Sequence, residues 1–151
     1  MEKEFDFEKY IWQIQFRPRF MFPENRSFCA TVDYLNRRLI FSESNTDSHS
    51  TDEVIFSIDD DKRFAELLSY SEISKIRQFE AIPGKELWKQ AYAYRDGWRM
   101  EYYYFMRGVP PRVDGRLGPI CKENPLEEIL QWIRRNVPQD NPWWMQNILT
   151  V

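Results

Sequence analysis

The stretch AYAYRDGWRMEYYYF, residues Ala91–Phe105, carries most of the information about the fold. It holds seven aromatic residues in fifteen, divided by Asp96-Gly97. Asp-Gly between two such runs favours a tight hairpin turn, because both central residues of that turn need positive φ. The pattern therefore predicts an aromatic β-hairpin over residues 86–106 and a core rich in β-structure.

The register of this hairpin defines two different faces. A two-residue turn pairs Arg95 with Trp98, and one face then sets small alanines against large residues, which lets a helix approach closely. The other face mixes aromatic and polar side chains, as a partly hydrated surface would: Trp88, Gln90, Tyr92, Tyr94, Arg99, Glu101, Tyr103 and Phe105. Tyr, Trp and Arg are enriched at interface hot spots, so this face is a candidate recognition surface. The alternative is that both faces are buried in the core.

Four strands are predicted before the hairpin from the alternation of apolar and polar residues. They cover Tyr10–Phe16, Phe28–Tyr34, Arg38–Ser42 and Val54–Ile58, with Arg17-Pro18 ending the first. Residues 42–53 contain no apolar side chain. Because this segment has nothing to bury, it is expected to be a flexible polar loop.

Three helices complete the predicted fold. Apolar residues at helical spacing predict helices over 60–69 and 71–80. The third starts with Asn124 as N-cap and Pro125 in its first turn, and continues to Val137. The order of elements predicts a single α+β domain over residues 1–151, a mostly antiparallel sheet with about three helices packed on one face.

Composition narrows the functional classes. The 151 residues carry a net charge of -3, which argues against a dedicated nucleic-acid binder. Cys29 and Cys121 stand far apart, in neither a zinc nor a redox spacing. The acidic N-terminus lacks the apolar region of a secretory signal, and no apolar run is long enough to span a membrane. The sequence predicts a soluble, cytoplasmic protein that makes no membrane contact.

The residues typical of catalysis are poorly placed. The one histidine, His49, lies in the polar loop, where nothing would fix it beside a nucleophile. Glu86 and Lys89 with Asp33 could be fitted to a metal-dependent nuclease pattern, but such matches arise by chance. We therefore expect no enzymatic activity, no metal and no cofactor.

Two charged segments offer candidate binding residues. Asp59, Asp60 and Asp61 could hold Mg²⁺ or Ca²⁺, could face a basic partner by mimicking phosphate, or could cap the helix that follows. In the Pro/Gly-rich segment 107–121, Arg107, Arg112 and Arg116 could grip phosphates or carboxylates, although no phosphate-binding motif is present. The alternative is a solvated connection whose arginines stack on neighbouring aromatic rings.

The segment LGPICKENPLEEILQWI, residues Leu117–Ile133, together with the chain's size and aromatic strand pairs, suggests a family. In these features the chain resembles the small immunity proteins that neutralise bacterial polymorphic or contact-dependent toxins. The resemblance implies a stoichiometric inhibitor that covers a toxin's active site, with acidic residues facing a basic, nuclease-type toxin. The residues expected to bind this partner are Asp59, Asp60, Asp61, Trp88, Tyr92, Tyr94, Arg99, Glu101, Tyr103, Arg107, Arg112 and Arg116.

Two alternatives remain open. The chain could be a nucleic-acid or nucleotide-binding accessory factor that uses arginines of 99–116 with stacking from Trp98 or Tyr103. It could instead be a structural subunit that assembles through its apolar tail, residues 142–151. In that case deleting the tail would abolish assembly and leave the fold intact. A tail docked on its own domain is the competing expectation, because an exposed Trp143-Trp144 pair invites aggregation.

Overall fold

The computed structural model describes residues 4–20, 26–80, 98–108, 112–117 and 125–149. At residues 19–20, 77–80, 98–102, 112–117 and 147 it describes the backbone without the side chains. The described elements are β1 (Gln13–Phe20), β2 (Arg26–Asp33), β3 (Arg38–Asn45), β4 (Ser50–Ser57), α1 (Asp61–Ser69), α2 (Ile73–Glu80), β5 (Trp98–Phe105), β6 (Arg112–Leu117), α3 (Pro125–Asn136), a 3₁₀ turn (Trp143–Met145) and α4 (Gln146–Leu149). The strands form one antiparallel sheet in the order β4-β3-β2-β1-β5-β6, which confirms the predicted α+β class.

The aromatic strand β5 has different neighbours from those predicted. β1 pairs with it from Gln13–Phe105 to Phe20–Trp98, and β6 occupies its other edge from residue 100 to residue 104. Since a strand has only two hydrogen-bonding edges, the predicted pairing of residues 100–104 with the preceding hairpin strand is wrong. The predicted first hairpin strand, with Trp88, Tyr92, Tyr94 and the Asp96-Gly97 turn, lies outside the described residues.

β1 is longer than predicted and runs through Arg17-Pro18 to Phe20. Its ladder with β2 ends at the Phe16–Ala30 pair, two residues before the proline, while its ladder with β5 continues. Proline has no N–H to donate, so it fits a strand where one ladder has already ended. The local breaker signal was therefore overridden by the pairing with β5.

The predicted flexible loop over 42–53 is wrong in its secondary structure. β3 and β4 pair from Ser42–Glu53 to Asn45–Ser50 and leave only a short turn between them. The Asn45 side chain holds that turn by accepting hydrogen bonds from the backbone N–H groups of Asp47 and Ser48. Within the hairpin, Glu43 is buried and forms an ion pair with Arg26. Backbone pairing and one buried ion pair thus order a segment that has no apolar side chain.

The helices agree with their predicted positions. α1 and α2 lie within the predicted 60–69 and 71–80, and α3 within the predicted 125–137. Asp60 is the N-cap of α1, because its carboxylate accepts hydrogen bonds from the backbone N–H groups of Lys62 and Arg63.

The core lies on one face of the sheet, which we call the covered face. It is built from alternate strand residues such as Ile14, Phe16, Val32, Phe41 and Tyr104, each buried. Helical side chains join the same cluster: Ile76, Leu126, Ile129, Trp132, Ile133, Met145 and Ile148. The tail belongs to this layer, since α4 contacts β1 and β2.

Candidate binding surface: the open face of the sheet

The opposite side of the sheet, which we call the open face, follows from strict alternation along each strand. Gln15, for example, pairs with Thr31 on β2 and with Tyr103 on β5, and all three side chains are half-buried. Asp33, which pairs with Gln13 and Arg38, is buried on this face. Its other described side chains include the following half-buried or exposed ones: Gln13, Gln15, Arg17, Ser27, Cys29, Thr31, Arg38, Ile40, Ser42, Glu53, Ile55, Tyr103 and Phe105. The described helices contribute their apolar residues to the covered face, so within the described ranges the open face is the candidate binding surface.

Arg17 and Tyr103 form the centre of the open face. The guanidinium carbon of Arg17 lies 4.8 Å from the centroid of the Tyr103 ring. Arg17 Nη2 also donates a hydrogen bond to Gln15 Oε1 at 2.8 Å. These two contacts hold the guanidinium against the sheet, which lowers the entropy lost when a partner orders it.

The remaining described aromatic contact of this face lies at the far end of β5. The rings of Trp12 and Phe105 pack with their centroids 5.6 Å apart. Trp12 and Phe105 also line an open groove of about 2160 Å³ at this end of the sheet. The groove is lined by both acidic and basic residues, among them Asp6, Glu8 and Arg107. It is also lined by Phe64 and Leu68 of α1, so it lies at the end of the sheet and gives the open face no preferred charge.

The backbone register gathers charged positions on the β1–β5–β6 part of the open face. Arg19 pairs with Arg99, Arg17 pairs with Glu101, and Glu101 pairs in turn with Arg116. Directly paired residues share one side of a sheet, so these positions belong to one surface. We call Arg17, Arg19, Arg99 and Arg116 the arginine cluster.

Sequence reasoning found part of this surface and missed the rest. Arg99, Glu101, Tyr103 and Arg116, all predicted to bind a partner, lie on adjacent strands of the open face. The arginines of β1 are not part of the predicted site, because Arg17-Pro18 predicts the end of that strand. Their signal was the polar alternation that begins at Gln13 and continues past the proline.

The predicted loop is wrong in its secondary structure over residues 112–117, because they form strand β6. Arg112 pairs with Tyr104, whose side chain is buried on the covered face, whereas Arg116 pairs with Glu101 on the open face. An irregularity in the register between Glu101 and Tyr103 separates the two arginines. Arg107 lies elsewhere again, exposed, with its guanidinium carbon 5.3 Å from the Phe7 ring.

The acidic residues Asp59–Asp61 lie at the start of α1, away from the arginine cluster. Asp60 caps the helix, and Asp61 Oδ1 lies 2.9 Å from Arg37 Nη1. Arg37 in turn stacks on the Phe64 ring at 4.4 Å. Two of the three carboxylates therefore have roles within the fold.

The structure also gives the positions of the other candidate metal-ligating and titratable side chains. Within the described ranges, no group of three or more His, Cys, Asp or Glu residues could hold a metal ion. His49 is exposed in the β3–β4 turn with φ 54. Burial raises the pKa of the Tyr34 hydroxyl, which bonds to Ser71, and burial also raises the pKa of the Glu127 carboxyl. Tyr34 packs in the core cluster and Glu127 lies on α3, so these shifts reflect packing.

The chain was compared with known proteins. No protein-family model matches it, and neither does any curated protein or solved structure. Among the described helices, none has the length and apolar character required to cross a membrane.

Proposed function

We propose that this protein is a stoichiometric protein-binding inhibitor and that the open face of the sheet is its contact surface. The observation that carries the proposal is the contrast between the two faces. One face is filled by helices and tail, while the other presents half-buried residues such as Arg17, Ile40 and Tyr103 over several strands. Tyr and Arg, which this face presents, are residue types that are enriched at protein interfaces.

A protein partner fits this surface better than a nucleic acid does. Tyr103 already carries the Arg17 guanidinium on its ring, and Phe105 packs against Trp12, so these rings are not bare platforms for bases. The chain's net charge of -3 also argues against a dedicated nucleic-acid binder. Gln13, Gln15 and Thr31 add amide and hydroxyl groups that suit the discrete polar groups of a protein.

The proposed partner class follows the resemblance to immunity proteins. The protein binds a bacterial toxin domain in the cytoplasm, one to one, and blocks its active site without any chemistry of its own. The arginine-bearing open face makes the contact. Asp60 and Asp61, which the sequence also predicts to bind the partner, make contacts within the fold as well.

A pair of matched substitutions tests the contact surface. Thr31→Tyr places a bulky side chain in the middle of the open face. Ser74→Tyr places the same side chain at an exposed position of α2. The tagged full chain and both variants are used to capture partners from host lysate, after thermal melts confirm that each is folded. The captured protein is then titrated for stoichiometry and assayed for inhibition.

The proposal predicts a 1:1 complex that inhibits the partner's activity and is weakened at least about tenfold by Thr31→Tyr, because an interface tolerates little misfit at its centre. Ser74→Tyr should leave it unchanged. A complex that is insensitive to Thr31→Tyr, or one that does not alter the partner's activity, would contradict the proposal.

A further inference from the structure

The register brings two arginines directly opposite each other in the middle of the sheet. Arg19 on β1 pairs with Arg99 on β5. Like charges directly opposite on neighbouring strands destabilise a sheet. The fold therefore places two like-charged residues at paired positions on the face opposite the described helices.

The register positions beside this pair hold mostly basic residues. Arg17 and Arg116 flank it, and Glu101, between them, is the one acidic residue whose register position falls within the cluster. Asp114 lies in β6 between the paired residues Val113 and Arg116, at the irregularity of that strand. The balance of paired positions is four arginines to one glutamate, so this part of the open face is cationic.

The rest of the open face contains its own charge compensation. Arg38 Nε donates to Asp33 Oδ2 at 3.1 Å, and Asp33 also accepts hydrogen bonds from Asn36. Glu53 on β4 adds a further carboxylate on that side. The open face is thus polarised, with its positive end on β1, β5 and β6.

We propose that the arginine cluster binds carboxylates on an acidic protein surface, which relieves the repulsion between Arg19 and Arg99. The inference rests on the proposed function and names the chemistry of its partner. Guanidinium groups bind carboxylates through two parallel hydrogen bonds, so paired arginines suit aspartate and glutamate side chains. Glu101 within the cluster would lie against a continuous line of phosphates, whereas separate carboxylates can be placed around it.

The test measures binding and stability on the same variants. The full chain and the variants Arg19→Gln, Arg99→Gln and their double are titrated with a random glutamate–tyrosine copolymer at low and moderate salt. Oligothymidylate and poly-lysine serve as comparison probes. Arg63→Gln is the matched control, because Arg63 is an exposed residue of α1 and lies outside the open face. Thermal midpoints are recorded for every protein.

We expect each single variant to weaken copolymer binding about three- to tenfold, in line with the loss of one charge-assisted contact. We also expect the affinity to fall as salt rises. The same variants should raise the thermal midpoint, because each removes one member of the like-charged pair. Glu101→Gln should tighten copolymer binding, and Arg63→Gln should change neither quantity. A residue with a purely structural role would lower the midpoint instead.

Three results would overturn the inference. They are copolymer binding that does not respond to Arg19→Gln and Arg99→Gln, tighter binding of oligothymidylate than of copolymer, and tighter binding of poly-lysine. Each leaves the proposed function standing if the captured complex still responds to Thr31→Tyr. If instead that complex ignores Thr31→Tyr while the copolymer responds to the arginine variants, the proposed function fails and the acidic-ligand site remains.

Discussion

Tyr103 and Tyr104 are neighbours in the chain and belong to opposite faces of the same sheet. Tyr104 is 1% exposed and packs in the core, whereas Tyr103 is half-buried beneath the Arg17 guanidinium. The two faces therefore answer to different requirements. The covered face must be apolar to hold the helices, while the open face contributes little to stability. Residues of the open face need not pack against helices, so they are available for recognition. The arginine cluster lies among them.

The largest expected effect comes from removing the layer that covers the sheet. Deleting residues 142–151 removes Trp144, Met145 and Ile148, which are buried in the core. Loss of several such side chains costs more than about 5 kcal/mol, comparable to the whole stability of a domain. The truncated chain should show no cooperative unfolding transition in urea.

Trp143→Ala is the matched control for the tail, because Trp143 is 70% exposed although it lies beside the buried Trp144. It should shift the urea midpoint only slightly. A truncated chain that unfolds cooperatively near the midpoint of the full chain would show that the tail is dispensable. That outcome would restore the interpretation of the tail as an assembly segment.

The next effect compares the two tyrosines directly. Tyr104→Ala should lower the free energy of unfolding by about 3–5 kcal/mol, because it leaves a cavity in the core. Tyr103→Ala should cost less than about 1 kcal/mol, since it loses one half-exposed contact with Arg17. The order should reverse for copolymer affinity, measured on variants that remain folded. Tyr103→Ala should weaken copolymer binding more than Tyr104→Ala does. Equal losses of stability would erase the distinction between the faces.

The sequence predicted much of this architecture because local patterns reported it. Alternation located β2 and parts of β1, β3 and β4, and helical spacing with a capping aspartate located α1. The two predicted faces of β5 also agree with the burial of Tyr104 and Met106 and with the half-exposure of Tyr103 and Phe105. Which face of a strand is apolar is a property of its own residues.

The pairing of strands and the clustering of charges could not be predicted from the pattern within a single element. Asp96-Gly97 suggested a local partner for β5, but β1, some eighty residues earlier, takes that edge. The pairing of Arg19 with Arg99 depends on this long-range choice, so no local motif could report it. Residues 42–53 were misjudged because the rule that links order to apolar content ignores pairing with an existing sheet.

A smaller effect tests whether the polar hairpin of β3 and β4 is ordered as described. His49 has φ 54, a conformation that glycine adopts without steric cost. His49→Gly should therefore raise the free energy of unfolding by up to about 1 kcal/mol, the cost of holding a non-glycine residue in this region. His49→Val should lower it. A flexible segment would show no difference between the two variants in urea melts.

The smallest effect concerns a polar group on the side of the covering helices. Burial raises the pKa of the Glu127 carboxyl, partly offset by a hydrogen bond from Gln131 Nε2 at 3.2 Å. The folded state therefore binds this proton more tightly than the unfolded state, and stability falls as pH rises from below the ordinary value through the raised one. Glu127→Gln should raise the thermal midpoint at pH 7, and the gain should vanish near pH 4. A gain that grows on acidification would contradict the assignment.

The central claim is that partners bind on the open face, and Cys29 offers a native reporter for it. Its half-buried thiol lies on that face, with Sγ 3.6 Å from Thr31 Oγ1. The rate of Cys29 alkylation by iodoacetamide is measured by site-resolved mass spectrometry, with and without saturating captured partner. The account predicts that the complex slows the reaction at least about tenfold, because a protein interface excludes solvent from its centre. An unchanged rate in a fully formed complex would contradict it.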